Sequence, residues 1–222
     1  MIATASRSRP RGSVLRILES LPRLPHPAAG GLVLFIAVGL PGTGKSSFCR
    51  RLVPRIDAVR LDSDTLRHVL YQPPAYSPEE SAALFRAIHT AARRLLEQGA
   101  SVIIDATNLA EAHRRPLYQV AEATRARIAL ALFTAPETVI SERLARRQSR
   151  PDPGDRSNAG IEIYNRMRPG FEPVTRPHWT IDTSDAAGVD AALDSISRFC
   201  LGNDPVEAKT RQREQARSEG RS

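Results

Sequence analysis

Short apolar runs recur along the chain, separated by longer segments in which apolar residues return every three or four positions. The first run, "LVLFIAV" over 32–38, is unbroken and bounded by glycines. A strand with one wet face alternates apolar and polar residues, so an unbroken run predicts a strand buried on both faces of a parallel sheet. "AVRLD" (58–62), "SVIIDAT" (101–107), "RIALALFT" (127–134) and "HWTID" (178–182) predict four more strands. Between the second and third, "SPEESAALFRAIHTAARRLLEQG" reads as a capped helix, with Ser77 as the cap, Pro78 at the first helical position and Glu80 completing a capping box. Leu84, Ile88, Ala91 and Leu95 form its apolar stripe, and Gly99 ends it. Strands alternating with helices predict one three-layer α/β/α domain with right-handed crossovers.

Composition changes this picture mainly at the ends. Residues 1–29 are rich in Arg, Pro, Ser and Gly and predict at most one short helix near Val14–Leu21, while 203–222 is charged and almost free of apolar residues. Both flanks are expected to be disordered and dispensable, leaving 30–202 as the domain. The formal net charge is +8, yet 30–202 holds 22 basic and 19 acidic residues, so most of the excess lies on the two flanks, the larger part on the leader. Basicity is therefore a weak argument for a polyanionic partner. The two cysteines, Cys49 and Cys200, give neither metal-ligand nor disulfide spacing and suit a reducing, cytoplasmic setting. The run at 31–40 starts late for a signal peptide and precedes no small-residue cleavage site, and no stretch is long enough to span a membrane. A monomer is expected.

The chain writes nearly every cation as arginine; Lys45 and Lys209 are its only lysines. Lys45 lies in "VGLPGTGKSS", where Gly39, Gly44, Lys45 and Ser46 fit the phosphate-loop pattern G-x-x-x-x-G-K-[ST]. Gly39, Pro41, Gly42, Thr43, Gly44, Lys45, Ser46 and Ser47 are the expected nucleotide-binding residues, the glycines letting backbone N–H groups curl around phosphate oxygens at a helix N-terminus. A lysine, as a compact point charge, can follow a moving phosphoryl group better than the rigid arginine fork. The Ser46 hydroxyl is expected to reach Mg²⁺, with ATP as the nucleotide.

Asp105 closes the second buried strand, where an acid beside a phosphate loop is placed to hold Mg²⁺-bound water; capping of the next helix is its alternative role. Ala106 follows it where many ATPases carry a water-activating Glu, and no Asn-Lys-x-Asp guanine motif occurs. A bound γ-phosphate without a water activator predicts transfer to another acceptor. In "VRLDSDTLRHVL", Asp64 is the candidate base, Asp62 a second carboxylate for the acceptor, and Arg67 an acceptor-binding cation; Asp64 as a mere cap of helix 65–71 is the competing role. "SERLARRQSRPDPGDRS" predicts an Arg-rich helical lid, with Arg143, Arg147 and Arg150 on one face at i, i+4, i+7 spacing. Arg143 and Arg147 are favoured as transition-state arginines over Arg146, which points off that face.

"GLPGTGKSS", "LDSDTLR", "VIIDATN" and "ERLARR", in this order, resemble the P-loop kinase family that includes polynucleotide 5′-hydroxyl kinases. They are similar, too, to the small AAA-type P-loop kinases found alone or fused to aminoglycoside-phosphotransferase-like domains. The resemblance spans roughly residues 32–184 and implies a P-loop NTPase fold with sheet order 2-3-1-4-5 and ATP as donor. It implies Asp64 and Arg67 as the base and acceptor arginine of a D-x-x-R element, Asp105 as a Mg²⁺ holder, and Asn108 near the acceptor. Ser157-Asn158-Ala159 departs from the Ser-Asp-Ala of fused relatives, and no phosphatase domain is expected, so a complete end-healing enzyme is not implied. "DSD" resembles shikimate- and gluconate-kinase-like proteins too, although their glycine-rich acceptor motif is missing where "DATN" stands. The expected activity is γ-phosphoryl transfer from Mg·ATP to a hydroxyl of a small molecule or a nucleic-acid 5′ end. The alternative is a nucleotide sensor or slow ATPase.

Overall fold

The computed structural model of the chain describes residues 10–21, 31–149 and 159–203. Five strands, β1 (Val33–Val38), β2 (Val59–Asp62), β3 (Val102–Asp105), β4 (Arg127–Thr134) and β5 (Trp179–Asp182), form one sheet in the order β2-β3-β1-β4-β5. All four pairings are parallel. Every strand expected from the apolar runs is present, and the order is the one the resemblance implied. Because consecutive side chains of a strand point to opposite faces, β1 serves two cores. Leu34, Ile36 and Val38 face a core shared with α3 (Ser63–Leu70), α4 (Pro78–Glu97) and α5 (Glu111–Thr124). Val33, Phe35 and Ala37 face the other, shared with α2 (Lys45–Ile56) and α8 (Ala186–Cys200). The sheet therefore lies between two helical layers. A third, small cluster of Ile140, Leu144 and Tyr164 joins α6 (Glu137–Ser149) to α7 (Ile161–Met167), which runs into a 3-10 turn at Arg168–Gly170.

In such a sheet, ligands settle outside the carboxyl ends of the strands where the connections diverge. Here the chain leaves β1 toward β2 and β3 and later returns to β4 on β1's other side, so the crevice opens at the tips of β1 and β3. The phosphate loop, Asp62 and Asp105 all sit at that edge.

The disordered leader expected over 1–29 needs correction at its centre. Residues Pro10–Ser20 form α1, and Val14 and Ile17 are buried in the core beside Leu66, Leu70 and Leu84. Arg16 donates to the carbonyl oxygens of Leu70, at 3.1 Å, and Val69. Those are carbonyls of the last turn of α3, which lack partners within their own helix. The N-terminal helix thus braces the element that carries Asp64 and Arg67. Ile17→Ala is expected to lower unfolding free energy by about 2–5 kcal/mol, read by urea denaturation, and a chain cut to 30–202 is expected to lose stability similarly. An unchanged denaturation midpoint would restore the dispensable leader. Residues 1–9, 22–30 and 204–222 lie outside the described residues, as do Arg150 and the Ser157-Asn158 departure. No helix among the described residues is long and apolar enough to cross a membrane.

Candidate active site

The loop from Gly39 to Gly44 turns on conformations that L side chains avoid. Gly42 has φ 82°, and a Cβ there would meet Ile140 Cγ2 of α6 at 2.9 Å. Gly44, with φ 80°, is the N-cap of α2, and a Cβ there would meet the Thr183 hydroxyl at 3.1 Å. Both glycines let the loop pass close to its neighbours, while the Gly39 N–H, expected at the phosphates, donates to the Thr107 carbonyl at 3.0 Å. The Leu40 carbonyl gathers the Thr43 N–H at 3.3 Å, the Thr43 hydroxyl at 2.8 Å and the Lys45 ammonium at 2.9 Å. Pro41 is buried under the turn, whereas Ser47 faces solvent.

Lys45 is buried, and burial pushes its ammonium below the ordinary lysine value; the charges of Asp105 and then Asp64 oppose that shift, and Arg147 adds to it. Three predicted residues from three separate segments therefore act on one charge. Ser46 donates to Asp105 Oδ1 at 3.1 Å. Asp105 is itself buried, which raises its carboxyl above the usual range; Arg60 is the main opposing influence and Asp62 reinforces the rise. A hydroxyl and a carboxylate oxygen brought together at a phosphate loop suit Mg²⁺, which takes hard oxygen donors and keeps several waters and phosphate oxygens. No cluster of three or more His, Cys, Asp or Glu able to hold a metal alone occurs among the described residues. Ser46 and Asp105 fit Mg²⁺.

The structure redistributes several expected roles. Asp62, expected near the acceptor, is the N-cap of α3: its Oδ1 accepts the N–H groups of Asp64 at 3.0 Å and Thr65 at 3.3 Å. Its Oδ2 accepts from Arg60 and from the Thr65 hydroxyl. The capping job that competed for Asp64 therefore belongs to Asp62. Arg67 is buried beneath α4, paired with Glu80, bonded to the Ser81 hydroxyl at 3.2 Å, and covered by the Tyr76 ring at 4.9 Å. Glu80 in turn accepts the Ala75 N–H at 2.7 Å and the Tyr76 N–H at 3.2 Å. The capping box is half realised: Ser77 accepts the Glu80 N–H, but the Glu80 carboxylate goes to Arg67 because a buried guanidinium needs it more.

Asn108, expected near the acceptor, is 1% exposed and donates to the Ala37 carbonyl of β1 at 2.8 Å. It pins the loop after β3 to the neighbouring strand. Arg143 reaches the Thr183 hydroxyl at 2.7 Å and the Thr183 carbonyl at 2.8 Å, with a longer contact to the Gly42 carbonyl at 3.4 Å. A guanidinium so engaged clamps the lid helix to the loop and to the tip of β5. Arg147, one turn further along α6, is half-buried, while Arg146 is exposed. Sequence reasoning missed Arg60, Glu80, Thr183 and Arg114. Arg60 alone left a signal, since it stands two residues before Asp62 on a strand and must share its face.

A family model described as an AAA domain matches residues 34–174. No curated protein matches the chain. Among solved structures, Kti12 of Chaetomium thermophilum in complex with ADP-AlF3 is 21% identical with TM-score 0.59, over 73% of this chain and 96% of that one. The APS kinase CysC of Mycobacterium tuberculosis, in complex with AMPPNP and APS, is 21% identical with TM-score 0.53, over 74% and 96%. A gluconokinase from Sinorhizobium meliloti is 17% identical with TM-score 0.53, over 89% and 99%. At these identities the likeness is one of fold, the P-loop NTPase fold. With well over half of its length matched by the family model, the chain belongs to the AAA-domain family.

Proposed function

We propose that the protein is a Mg·ATP-dependent phosphotransferase that passes the γ-phosphoryl group to an alcohol. The observation that carries this reading is the placement of Asp64. It stands at the first turn of α3, its charge is felt by Lys45 of the phosphate loop, and Asp62 performs the capping that would otherwise explain it. The residue after Asp105 is a buried alanine, which offers nothing to activate water. In the proposed step the acceptor oxygen forms a bond to the γ-phosphorus, the bond to the β–γ bridging oxygen breaks, ADP leaves, and Asp64 takes the hydroxyl proton. Lys45 exchanges the Leu40 carbonyl for the phosphates, and Arg147 meets charge developing on the transferred group. Ser46 and Asp105 would hold Mg²⁺, which would supply positive charge against the phosphates.

The finer resemblance to polynucleotide 5′-hydroxyl kinases leaves two acceptor classes, and the smaller one is favoured. The 22 basic and 19 acidic residues of 30–202 make a nearly balanced surface, and Arg67 is neutralised by Glu80. A strand of phosphodiesters would find little positive charge at the acceptor helix. A screen with γ-labelled ATP tests this, comparing 5′-hydroxyl oligonucleotides with pools of polyols, sugars and nucleosides. Label is expected in a small hydroxyl compound. Label in the oligonucleotide reverses the acceptor choice, and release of phosphate with every acceptor absent or present alike supports the slow ATPase instead.

A further inference from the structure

Parity along the strands places three charged residues on one face. Val59 and Leu61 of β2 and Val102 and Ile104 of β3 belong to the core under α4, while Ile103 belongs to the core under α2. Arg60, Asp62 and Asp105 therefore project to the α2 side, where Ser46 begins that helix. Register sets Asp62 directly opposite Asp105. Two carboxylates so placed repel, and Arg60 lies between them. Its Nε donates to Asp105 Oδ2 at 2.8 Å, and one terminal nitrogen donates to the same oxygen and to Asp62 Oδ2, each at 2.6 Å.

The division of Asp105 is the informative detail. Oδ2 is taken by Arg60, whereas Oδ1 carries the Ser46 hydroxyl at 3.1 Å. We propose that Arg60 is a positioning residue, which by holding Oδ2 of Asp105 against Asp62 turns Oδ1 toward the cation of the donor nucleotide. This rests on the phosphotransferase reading given above. When Ser46 leaves Oδ1 for the cation, Oδ1 is left aimed at that cation's water, and Arg60 keeps the carboxylate from rotating. The same guanidinium ties Asp105 to the N-cap of α3, so the cation site and the helix bearing Asp64 are set by one fork. A lysine ammonium could bridge the two carboxylates as the terminal nitrogen does, but it lacks the second contact from Nε that fixes Asp105 Oδ2.

The test is a Mg²⁺ titration of the binding of a fluorescent, non-hydrolysable ATP analogue, with affinity in EDTA as the internal reference. Residues that orient a metal's ligands typically change metal affinity by 10–100-fold. Arg60→Ala is expected to leave the EDTA affinity within about twofold and to raise the half-saturating Mg²⁺ about tenfold or more. Arg60→Lys is expected to fall between it and the parent, and it carries the test by itself should Arg60→Ala not fold. A half-saturating Mg²⁺ equal to the parent's in the folded variants overturns the positioning role. A parent protein whose analogue binding does not respond to Mg²⁺ overturns the function on which the role rests, a separate and recognisable result.

Discussion

Arg147→Ala is expected to slow phosphoryl transfer by about three to five orders of magnitude, the span typical for a transition-state arginine, with ATP affinity nearly unchanged. The sequence offers Arg143 and Arg147 as equals on one helical face, and the structure separates them. Arg143 is engaged by Thr183 and the loop carbonyl of Gly42, contacts that hold α6 in place. Arg147 is half-buried on the same helix, and its charge adds, as the least of the named influences, to the lowering of the Lys45 ammonium; the proposed role rests on that. Arg143→Ala is expected to act differently, loosening the loop and weakening ATP binding more than it slows the transfer step. Single-turnover rates and nucleotide affinities for both variants decide. The opposite pattern, with a slow step in Arg143→Ala and none in Arg147→Ala, would exchange the two roles.

Asp64→Asn is expected to cost about two to four orders of magnitude in the transfer rate, the usual consequence of removing a general base. Asparagine keeps the size and hydrogen-bonding reach but cannot take the acceptor's proton. Capping supplies no competing explanation, because the N-cap of α3 is Asp62. Nucleotide affinity should hold, since in the proposed mechanism Lys45, Ser46 and Asp105 hold the donor. Weakened ATP binding with an intact transfer step would make Asp64 part of the cation site and require a base elsewhere.

The strands and the phosphate loop were legible because both are local in character: an unbroken apolar run and a G-x-x-x-x-G-K-S spacing need no knowledge of the rest of the chain. Which way a charged side chain turns is decided by its neighbours in space. Arg67, Asn108 and Arg143 were placed at the acceptor or the phosphates, yet each finds a carbonyl or carboxylate first. Glu80 illustrates the cause. Its helix-start position predicts a bond back to the cap, and only the packing of α3 against α4 delivers the guanidinium that outcompetes it. The leader helix is a different case. Val14, Ile17, Leu18 and Leu21 stand at i, i+3, i+4 and i+7, and all four pack on the core. That periodicity predicts the short helix near Val14–Leu21, but the Arg, Pro and Ser around it give no sign that the helix packs on the core.

Arg114 is fully buried and donates to four backbone carbonyls: Asn108 at 3.1 Å, Leu109 at 2.7 Å, Glu172 at 3.3 Å and Pro173 at 3.0 Å. The first two follow the strand that ends in Asp105, and the last two end the excursion that leaves the sheet with α6. Arg143 fastens the outgoing side of that excursion to the loop, and Arg114 fastens its return. Among the described residues, that segment is thus tied to the phosphate loop at α6 and to the residues after β3 at Glu172 and Pro173. Removing either guanidinium would free one of these ties while leaving the other in place.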